Sequence, residues 1–162
     1  METATNDSVR LRRATADDES FLFELYRSVR AEEMAAWGLD SAQQEMILKL
    51  QFTAQQRHYD IAFAGADHQI IILNEQPAGR IMVYRSESEV RLVDIALLSE
   101  HRGKGVGAMI VSSLIEESRA ASKPVTLHVA KDNRAARLYE RLGFQITGDT
   151  GSHYKMEWWP KD

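Results

Sequence analysis

The chain lacks cysteine, a long hydrophobic run and an excess of basic residues, and each absence removes a class of function. Without cysteine there is no disulfide framework, thiolate metal site or cysteine nucleophile, and a reducing compartment, the cytoplasm, is expected. The longest aliphatic run, Ile70 to Leu73, is far shorter than the roughly 20 residues of a membrane span. The first ten residues carry no apolar signal core. Lys and Arg number 20 against 24 Asp and Glu, which argues against a general nucleic-acid binder.

What remains suits one globular domain. The 162 residues are 44% hydrophobic and 27% charged, enough for a substantial core under a charged surface. No repeat, low-complexity tract or flexible linker divides the chain. Residues 1–162 are therefore predicted to form a single domain.

The first half is predicted to contain one strand, two helices and three strands. After a strand at Val9–Arg13, Thr15 with Asp18 has the spacing of a helix cap, and the helix runs to a break at Gly38. Its apolar positions have near-helical spacing: Phe21, Leu22, Leu25, Val29 and Met34.

A second helix begins with the capping pattern of Ser41 and Gln44 and runs toward His58. Its predicted buried face comprises Met46, Ile47, Leu50 and Ala54. Residues 68–85 then read as two strands around a short turn, and residues 89–98 as a third strand, all antiparallel.

The second half alternates helices and strands. The spacing of Val106, Ile110, Val111 and Leu114 predicts an amphipathic helix over residues 105–121. Residues 125–130 read as a strand and residues 132–144 contain a short helix that ends at Gly143. Two further strands, around 144–147 and 154–158, complete a mixed α/β sheet.

A glycine-rich segment lies between the third strand and the helix at 105–121. Gly103, Gly105 and Gly107 alternate with other residues, and Arg102 and Lys104 lie among them. The N-terminus of a helix has unpaired N–H groups and a positive dipole end, and glycines let an anion approach them closely. The segment is predicted to bind the phosphates of a cofactor.

Two known phosphate motifs fit this segment poorly. A Walker loop is not matched, because Gly105 instead of Ser or Thr follows Lys104. Gly103, Gly105 and Ala108 do satisfy the dinucleotide pattern G-x-G-x-x-A. That pattern also requires an acidic residue about 20 positions later, and the only candidate, Asp132, comes too late in the chain. In addition, the antiparallel strands upstream do not suit a doubly wound parallel sheet.

The same segment resembles the GNAT superfamily of acetyl-CoA-dependent N-acetyltransferases. Arg102, Gly105 and Gly107 match that family's pyrophosphate loop, [QR]-x-x-G-x-[GA], and "DNRAARLYERLGF" resembles its next motif. The likeness covers Glu89 to Phe144. It implies a mixed, mostly antiparallel twisted sheet, splayed between its two central strands and flanked by about four helices, with acetyl-CoA as the cofactor.

This resemblance also implies where acetyl-CoA binds. The pantetheine arm would run between the strands Glu89–Leu98 and Val125–Ala130, and Ile95, Ala96 and Leu97 would border the thioester. Asn133 would hydrogen-bond the arm, although Asp132 is an alternative because the interval to the family's tyrosine is one residue shorter here. The pyrophosphate would be held by the loop residues Arg102, Gly103, Lys104, Gly105, Val106, Gly107 and Ala108.

Tyr139, in the L-Y-E part of the second motif, is the candidate general acid. A phenol with a pKa of about 10 can protonate the leaving thiolate. The base that takes a proton from the attacking ammonium group is left open among His128, Glu89, Asp94 and a water relay. Each of these side chains is also explained as an ordinary strand residue.

The acceptor is predicted to be a primary amine on a small molecule or a peptide. Tyr26, Arg30, Glu33 and Trp37 share one face of the first helix, which shapes the acceptor pocket in the family. An ordinary charged helix face explains them equally well. The histidines show no metal-ligand spacing, and the final strands are candidates for a homodimer contact.

These features predict an N-acetyltransferase in which the amine attacks the thioester directly in a ternary complex. A non-catalytic CoA-binding module is the alternative from another class. A nucleotide-dependent oxidoreductase is a more distant one. Neither a membrane nor a nucleic acid is expected as a partner.

Overall fold

Residues 8–161, which the computed structural model describes, form seven strands and four α-helices. The helices are α1 (Glu19–Ala35), α2 (Ser41–Ala62), α3 (Val106–Ala121) and α4 (Ala135–Arg141). The strands are β1 (Val9–Arg13), β2 (Asp67–Leu73), β3 (Gln76–Arg85), β4 (Val90–Leu97), β5 (Val125–Ala130), β6 (Gln145–Asp149) and β7 (His153–Trp158).

The strands make one sheet in the order β1-β2-β3-β4-β5-β7-β6. Its neighbours pair antiparallel except β4 and β5, which are parallel. The parallel pair joins the two halves of the chain in the middle of the sheet. A mixed, mostly antiparallel sheet with four helices confirms the predicted fold class.

Both faces of the sheet are covered by helices. On one face, Val111 and Leu114 of α3 pack on Ile71, Ile81 and other strand residues in the larger core cluster. On the other face, Leu22 of α1 and Phe52 of α2 pack on Ile70 and Ile72. Consecutive residues of β2 therefore lie in opposite cores, as expected for a strand buried on both sides.

Helix α2 corrects two details of the sequence-based prediction. Its cap is Asp40 with Gln43, each side chain bonding the other's backbone N–H, and not Ser41 with Gln44. The two patterns are one residue apart, and a carboxylate at the cap also interacts with the positive end of the helix.

The buried face of α2 was also predicted wrongly. Met46 and Leu50 are 65% and 67% exposed, whereas Leu48 and Phe52 are buried. Apolar residues occur on two faces of this helix, and the aromatic rings of α1 decide between them, since the ring centroids of Phe23 and Phe52 are 5.4 Å apart.

No helix within residues 8–161 is both long and apolar enough to cross a membrane.

Candidate functional site: a cleft between two central strands

A cleft opens where β4 and β5 stop pairing. The parallel ladder joins Val90–Leu92 to Val125–Leu127 and goes no further within the described residues. Beyond it lies a cleft of about 230 Å³ whose walls come from α2, β4, β5, α4 and β7. The sheet is therefore closed at one end of the central pair and open at the other, as predicted.

A β-bulge in β4 lies at the point of separation. Val83 of β3 opposes Leu92, but the next residue, Met82, opposes Asp94, so Val93 is an extra residue in β4. A bulge bends its strand and increases the local twist. The bend explains why β4 leaves β5 directly after Leu92.

The outer half of β4 is held from its other side by β3. Ile95, Ala96 and Leu97 pair with Ile81, Arg80 and Gly79. A Cβ atom on Gly79 would lie 2.1 Å from the carbonyl oxygen of Ala96, so only glycine permits this close approach. The backbone groups of β4 that face β5 stay available for a strand-like ligand.

The glycine loop places unpaired amides at the end of the cleft strand. Gly103 and Gly105 have φ angles of +74° and +86°, a conformation that favours glycine. The first bond of α3 runs from Met109 N to Gly105 O at 3.0 Å, so the N–H groups of residues 106–108 have no partner within the helix. This arrangement suits a phosphate.

Arg102 anchors the loop. Its Nε donates to the carbonyl oxygen of Leu97 at 2.9 Å, and its Nη2 lies 3.5 Å from the hydroxyl of Ser28 on α1. Lys104 is exposed beside it. The loop is thus tied to the open half of β4 and keeps positive charge at its surface.

Tyr139 brings a phenol into the cleft from α4. Its side chain is 5% exposed and packs against Phe144, with ring centroids 5.6 Å apart. Burial, reinforced by the negative charge of Asp94, raises the pKa of Tyr139 to about 12. The phenol is therefore protonated at neutral pH.

Asp94 lines the cleft and is paired with a buried arginine. Nε of Arg80 donates to Oδ2 of Asp94 at 2.7 Å, and Arg80 also donates to Gln55 at 3.0 Å. The Arg80 side chain is only 5% exposed, against 27% for Asp94. The carboxylate is thus held in place at the rim of the cleft.

Tyr59 is a cleft residue to which no sequence pattern pointed. It reaches the cleft from α2, and the guanidinium of Arg80 lies 5.5 Å from its ring centroid. Burial first, and then the charge of Asp94, raise the pKa of Tyr59 to about 12. Asp94 is thus close to two protonated phenols.

His128 lines the cleft from β5, and its ring bonds Arg91. Nη2 of Arg91 is 2.6 Å from Nδ1 of His128. Arginine can only donate, so Nδ1 accepts and the ring is neutral. Burial and the positive charge of Arg91 lower the pKa of His128.

Glu89, the third candidate base, lies at the closed end of the central pair. The hydroxyl of Thr126 donates to its Oε1, and Glu89 is not part of the cleft wall. The structure brings Asp94 and His128 together in the cleft and leaves Glu89 outside it.

Asn133 lies in the cleft wall, whereas its alternative, Asp132, does not. The side-chain oxygen of Asn133 accepts from the N–H of Ala135 at 2.8 Å. This bond closes an Asx turn directly before α4, the helix that carries Tyr139.

The four predicted acceptor residues form one cluster: Tyr26, Arg30 and Glu33 lie on α1, and Trp37 follows that helix. Nη1 of Arg30 donates to the hydroxyl of Tyr26 at 2.9 Å and Nη2 donates to Glu33 at 3.2 Å. The same guanidinium lies 5.9 Å from the ring of Trp37. The ring of Tyr26 packs against Phe52 of α2, with centroids 5.6 Å apart, and α2 is the helix that carries Tyr59 to the cleft.

No group of three or more His, Asp or Glu side chains within residues 8–161 has an arrangement that could hold a metal ion.

Comparison with known proteins identifies related chains. Residues 24–144 match the sequence model of the acetyltransferase (GNAT) family. An L-methionine sulfoximine/L-methionine sulfone acetyltransferase of Pseudomonas paraeruginosa is 29% identical over 89 residues, which cover 48% of this chain and 52% of that protein. The chain thus spans about half the length of the curated relatives it matches.

Solved structures share the fold. A PaiA N-acetyltransferase from Thermoplasma acidophilum, in complex with coenzyme A, superimposes with a TM-score of 0.69 at 16% identity, covering 94% of this chain and 99% of that one. An acetyltransferase from Thermus thermophilus gives 0.66 at 15% identity, covering 93% and 95%.

Proposed function

We propose, from the premise that the chain belongs to the acetyltransferase (GNAT) family, that it transfers the acetyl group of acetyl-CoA to a primary amine by direct attack in a ternary complex. One observation carries the proposal. The open edge of β4 leads from the unpaired amides of the glycine loop to a cleft that holds both Asp94 and Tyr139.

The chain's own residues fit each part of acetyl-CoA. The amides of residues 106–108, with Arg102 and Lys104, suit the pyrophosphate. The free backbone edge of β4 from Ile95 to Leu97 suits the amide groups of the pantetheine arm. Asn133, on the opposite wall, lies within the same cleft. Acetyl-CoA supplies the thioester.

Tyr139 and Asp94 divide the proton transfers between them. Asp94 accepts a proton from the substrate ammonium group, directly or through water, because His128 already uses its Nδ1 lone pair and Glu89 lies outside the cleft. The amine nitrogen then bonds the acetyl carbon, the C–S bond breaks, and the Tyr139 hydroxyl donates to the leaving sulfur. Its raised pKa keeps that proton available at neutral pH. The second proton of the nitrogen returns to the Tyr139 oxygen through water, which leaves a neutral amide and a protonated phenol.

The acceptor is proposed to be a small-molecule or peptide amine that enters between α1 and the cleft. Tyr26, Arg30, Glu33 and Trp37 would border its path. Trp159, which is 61% exposed beside the last strand, is proposed as part of a homodimer contact. The absence of cysteine supports a cytoplasmic location.

The first test is thermal unfolding with acetyl-CoA, CoA, NAD and ATP side by side. At a hundredfold its Kd a ligand stabilises by about 2.7 kcal/mol, which raises Tm by roughly 5 to 10 °C for a chain of this length. We expect a shift with the CoA species only. A shift with NAD alone would instead favour the oxidoreductase.

The second test measures release of the CoA thiol with a panel of primary amines. The panel includes polyamines, peptides and free amino acids, among them L-methionine sulfoximine and L-methionine sulfone, for which the curated relative is named. Thiol release that depends on the amine supports the enzyme. Binding of acetyl-CoA without transfer to any amine would support a non-catalytic CoA-binding module.

A further inference from the structure

Arg91 holds a half-buried positive charge at the edge of the cleft. Its Nη2 contacts the neutral ring of His128, its Nε is buried without a hydrogen-bond partner, and its guanidinium lies 5.5 Å from the ring of Phe63. Within residues 8–161, Arg91 takes part in no ion pair. Burial lowers the pKa of Arg91, outweighing the opposite effect of Glu89.

Arg80 shows how the same fold treats a buried arginine that is fully satisfied. It also approaches α2, and Asp94, Gln55 and Gln56 accept hydrogen bonds from it. A buried charge without a counter-charge destabilises a protein. Among residues 8–161 no carboxylate forms an ion pair with Arg91, and the charge of Glu89 only partly offsets its burial, so Arg91 can still bind an anion.

His128 shows where that anion would enter. Its ring is part of the cleft wall, and Arg91 touches its Nδ1. Lys155 pairs with His128 across the β5–β7 ladder, but its Nζ already contacts Glu157 at 3.1 Å. Of Arg80, Arg91 and Lys155, therefore, Arg91 is the one without an ion-pair partner among residues 8–161.

We infer that Arg91 binds a carboxylate of the acceptor, so that the preferred acceptors carry both an amine and a carboxylate, as free amino acids do. The carboxylate accepts from Nη1 and from the N–H of Nη2 that does not contact His128, a two-point geometry in which arginine recognises carboxylates. Asp94 then lies on the same face of the sheet for the ammonium group. This inference rests on the proposed acetyl transfer and names its substrate class.

Matched amines provide the test. Each free L-amino acid is compared with its amide and with the amine that lacks the carboxylate, for example L-methionine with L-methioninamide and 3-(methylthio)propylamine. β-Alanine and γ-aminobutyrate place the carboxylate further from the amine and distinguish an α-amino acid from a longer acceptor. The quantity measured is kcat/KM from thiol release at saturating acetyl-CoA.

We expect the wild-type protein to prefer the carboxylate form about 10- to 100-fold, the range of a hydrogen bond between charged groups. Arg91→Gln should abolish that preference, chiefly through KM, and Arg91→Lys should retain part of it. Arg119→Gln is the control, because Arg119 also lies over an aromatic ring, Trp158, at 5.0 Å but away from the cleft. Tm and acetyl-CoA affinity, measured for every variant, report on folding.

The outcomes separate the two proposals. Equal kcat/KM with and without the carboxylate, or a preference that survives in folded Arg91→Gln and Arg91→Lys, would overturn the role of Arg91 and leave the acetyltransferase intact. If acetyl-CoA binds but no amine in the panel is acetylated, the proposed function fails and takes this inference with it.

Discussion

The two ends of the β4–β5 pair belong to the same strands but differ in backbone pairing, burial and charge. At the closed end Val90 and Leu92 meet Val125 and Leu127, all of them at most 3% exposed, and Thr126 bonds Glu89 above them. At the open end, backbone edges face a cleft bordered by charged and phenolic side chains. One half of the pair builds the core, and the other half is not paired with its neighbouring strand.

Along one strand, then, the backbone groups either pair with the neighbouring strand or remain available to a bound molecule. Where the ladder is complete, backbone groups are satisfied and side chains are apolar. Where it is broken, those groups can be completed by a bound molecule. Variants at the open end should therefore affect ligand binding and turnover, and their counterparts elsewhere should affect stability alone.

The largest effect is expected from Gly105→Glu. A carboxylate about 4 Å from a pyrophosphate is unfavourable by about 4 kcal/mol at a protein surface, so acetyl-CoA affinity should fall about a thousandfold. Gly65→Glu is the matched control, because Gly65 has φ +85° against +86° for Gly105 and neither has an atom within 4 Å of an added Cβ. Calorimetric titration measures the acetyl-CoA affinity of both variants. Equal affinities would mean that the phosphate site lies elsewhere.

Tyr139→Phe should lower kcat about 100-fold, the contribution of a general acid, while acetyl-CoA affinity changes little. The Phe144 contact is retained, so stability is preserved. Because the pKa of Tyr139 is about 12, loss of its proton should not reduce the wild-type rate below pH 10. Tyr154→Phe is the control on β7. A folded Tyr139→Phe protein with normal turnover would remove the acid role.

Asp94→Asn compared with Glu89→Gln contrasts the two ends directly. Removing the open-end carboxylate should reduce kcat about 30-fold, less than the full effect of a base because water can relay the proton. It also weakens the counter-charge of Arg80. Glu89→Gln should leave kcat within about twofold, since Glu89 lies outside the cleft wall and its carboxylate bonds Thr126. The reverse ranking would move the base to the closed end.

The smallest effect on binding is expected from Gly79→Ala. Its Cβ would overlap the Ala96 carbonyl, so β3 and β4 must separate, at a cost of about 2 kcal/mol. We expect acetyl-CoA affinity to fall about fivefold because the open half of β4 shifts. In Gly148→Ala the added Cβ meets a side-chain atom of Lys155 at 3.2 Å, away from the cleft, so only denaturant midpoints should change. An unchanged affinity in Gly79→Ala would show that this edge tolerates movement.

Features set by local sequence were predicted well. The glycine spacing, the cap at Thr15 and Asp18, the stripe of α3 and the stop at Gly143 each involve interactions within a few residues. The structure retains them. Strand existence was equally visible, because β2, β3 and β4 are apolar runs separated by turn residues.

Features set by packing were not predictable. Helix α2 offers apolar residues on two faces, and only its contact with α1 and the sheet selects Leu48 and Phe52. That choice also determines that Tyr59 reaches the cleft. The isolation of Arg91 depends in turn on where β4 and β5 separate, which no single stretch of sequence specifies.

The extra residue Val93 shifts the alternation of inward and outward side chains along β4 by one position. In uninterrupted alternation Val90, Leu92, Asp94 and Ala96 would share one face. After the extra residue, Ile95 and Leu97 pack on the same apolar cluster as Val90 and Leu92, while Asp94 bonds Arg80 on the opposite face. If Val93 were instead paired regularly, without the bulge, Asp94 would point into the core and Ile95 toward the cleft. The bulge at one valine therefore determines which side chains of β4 reach the cleft, as much as the identity of those side chains does.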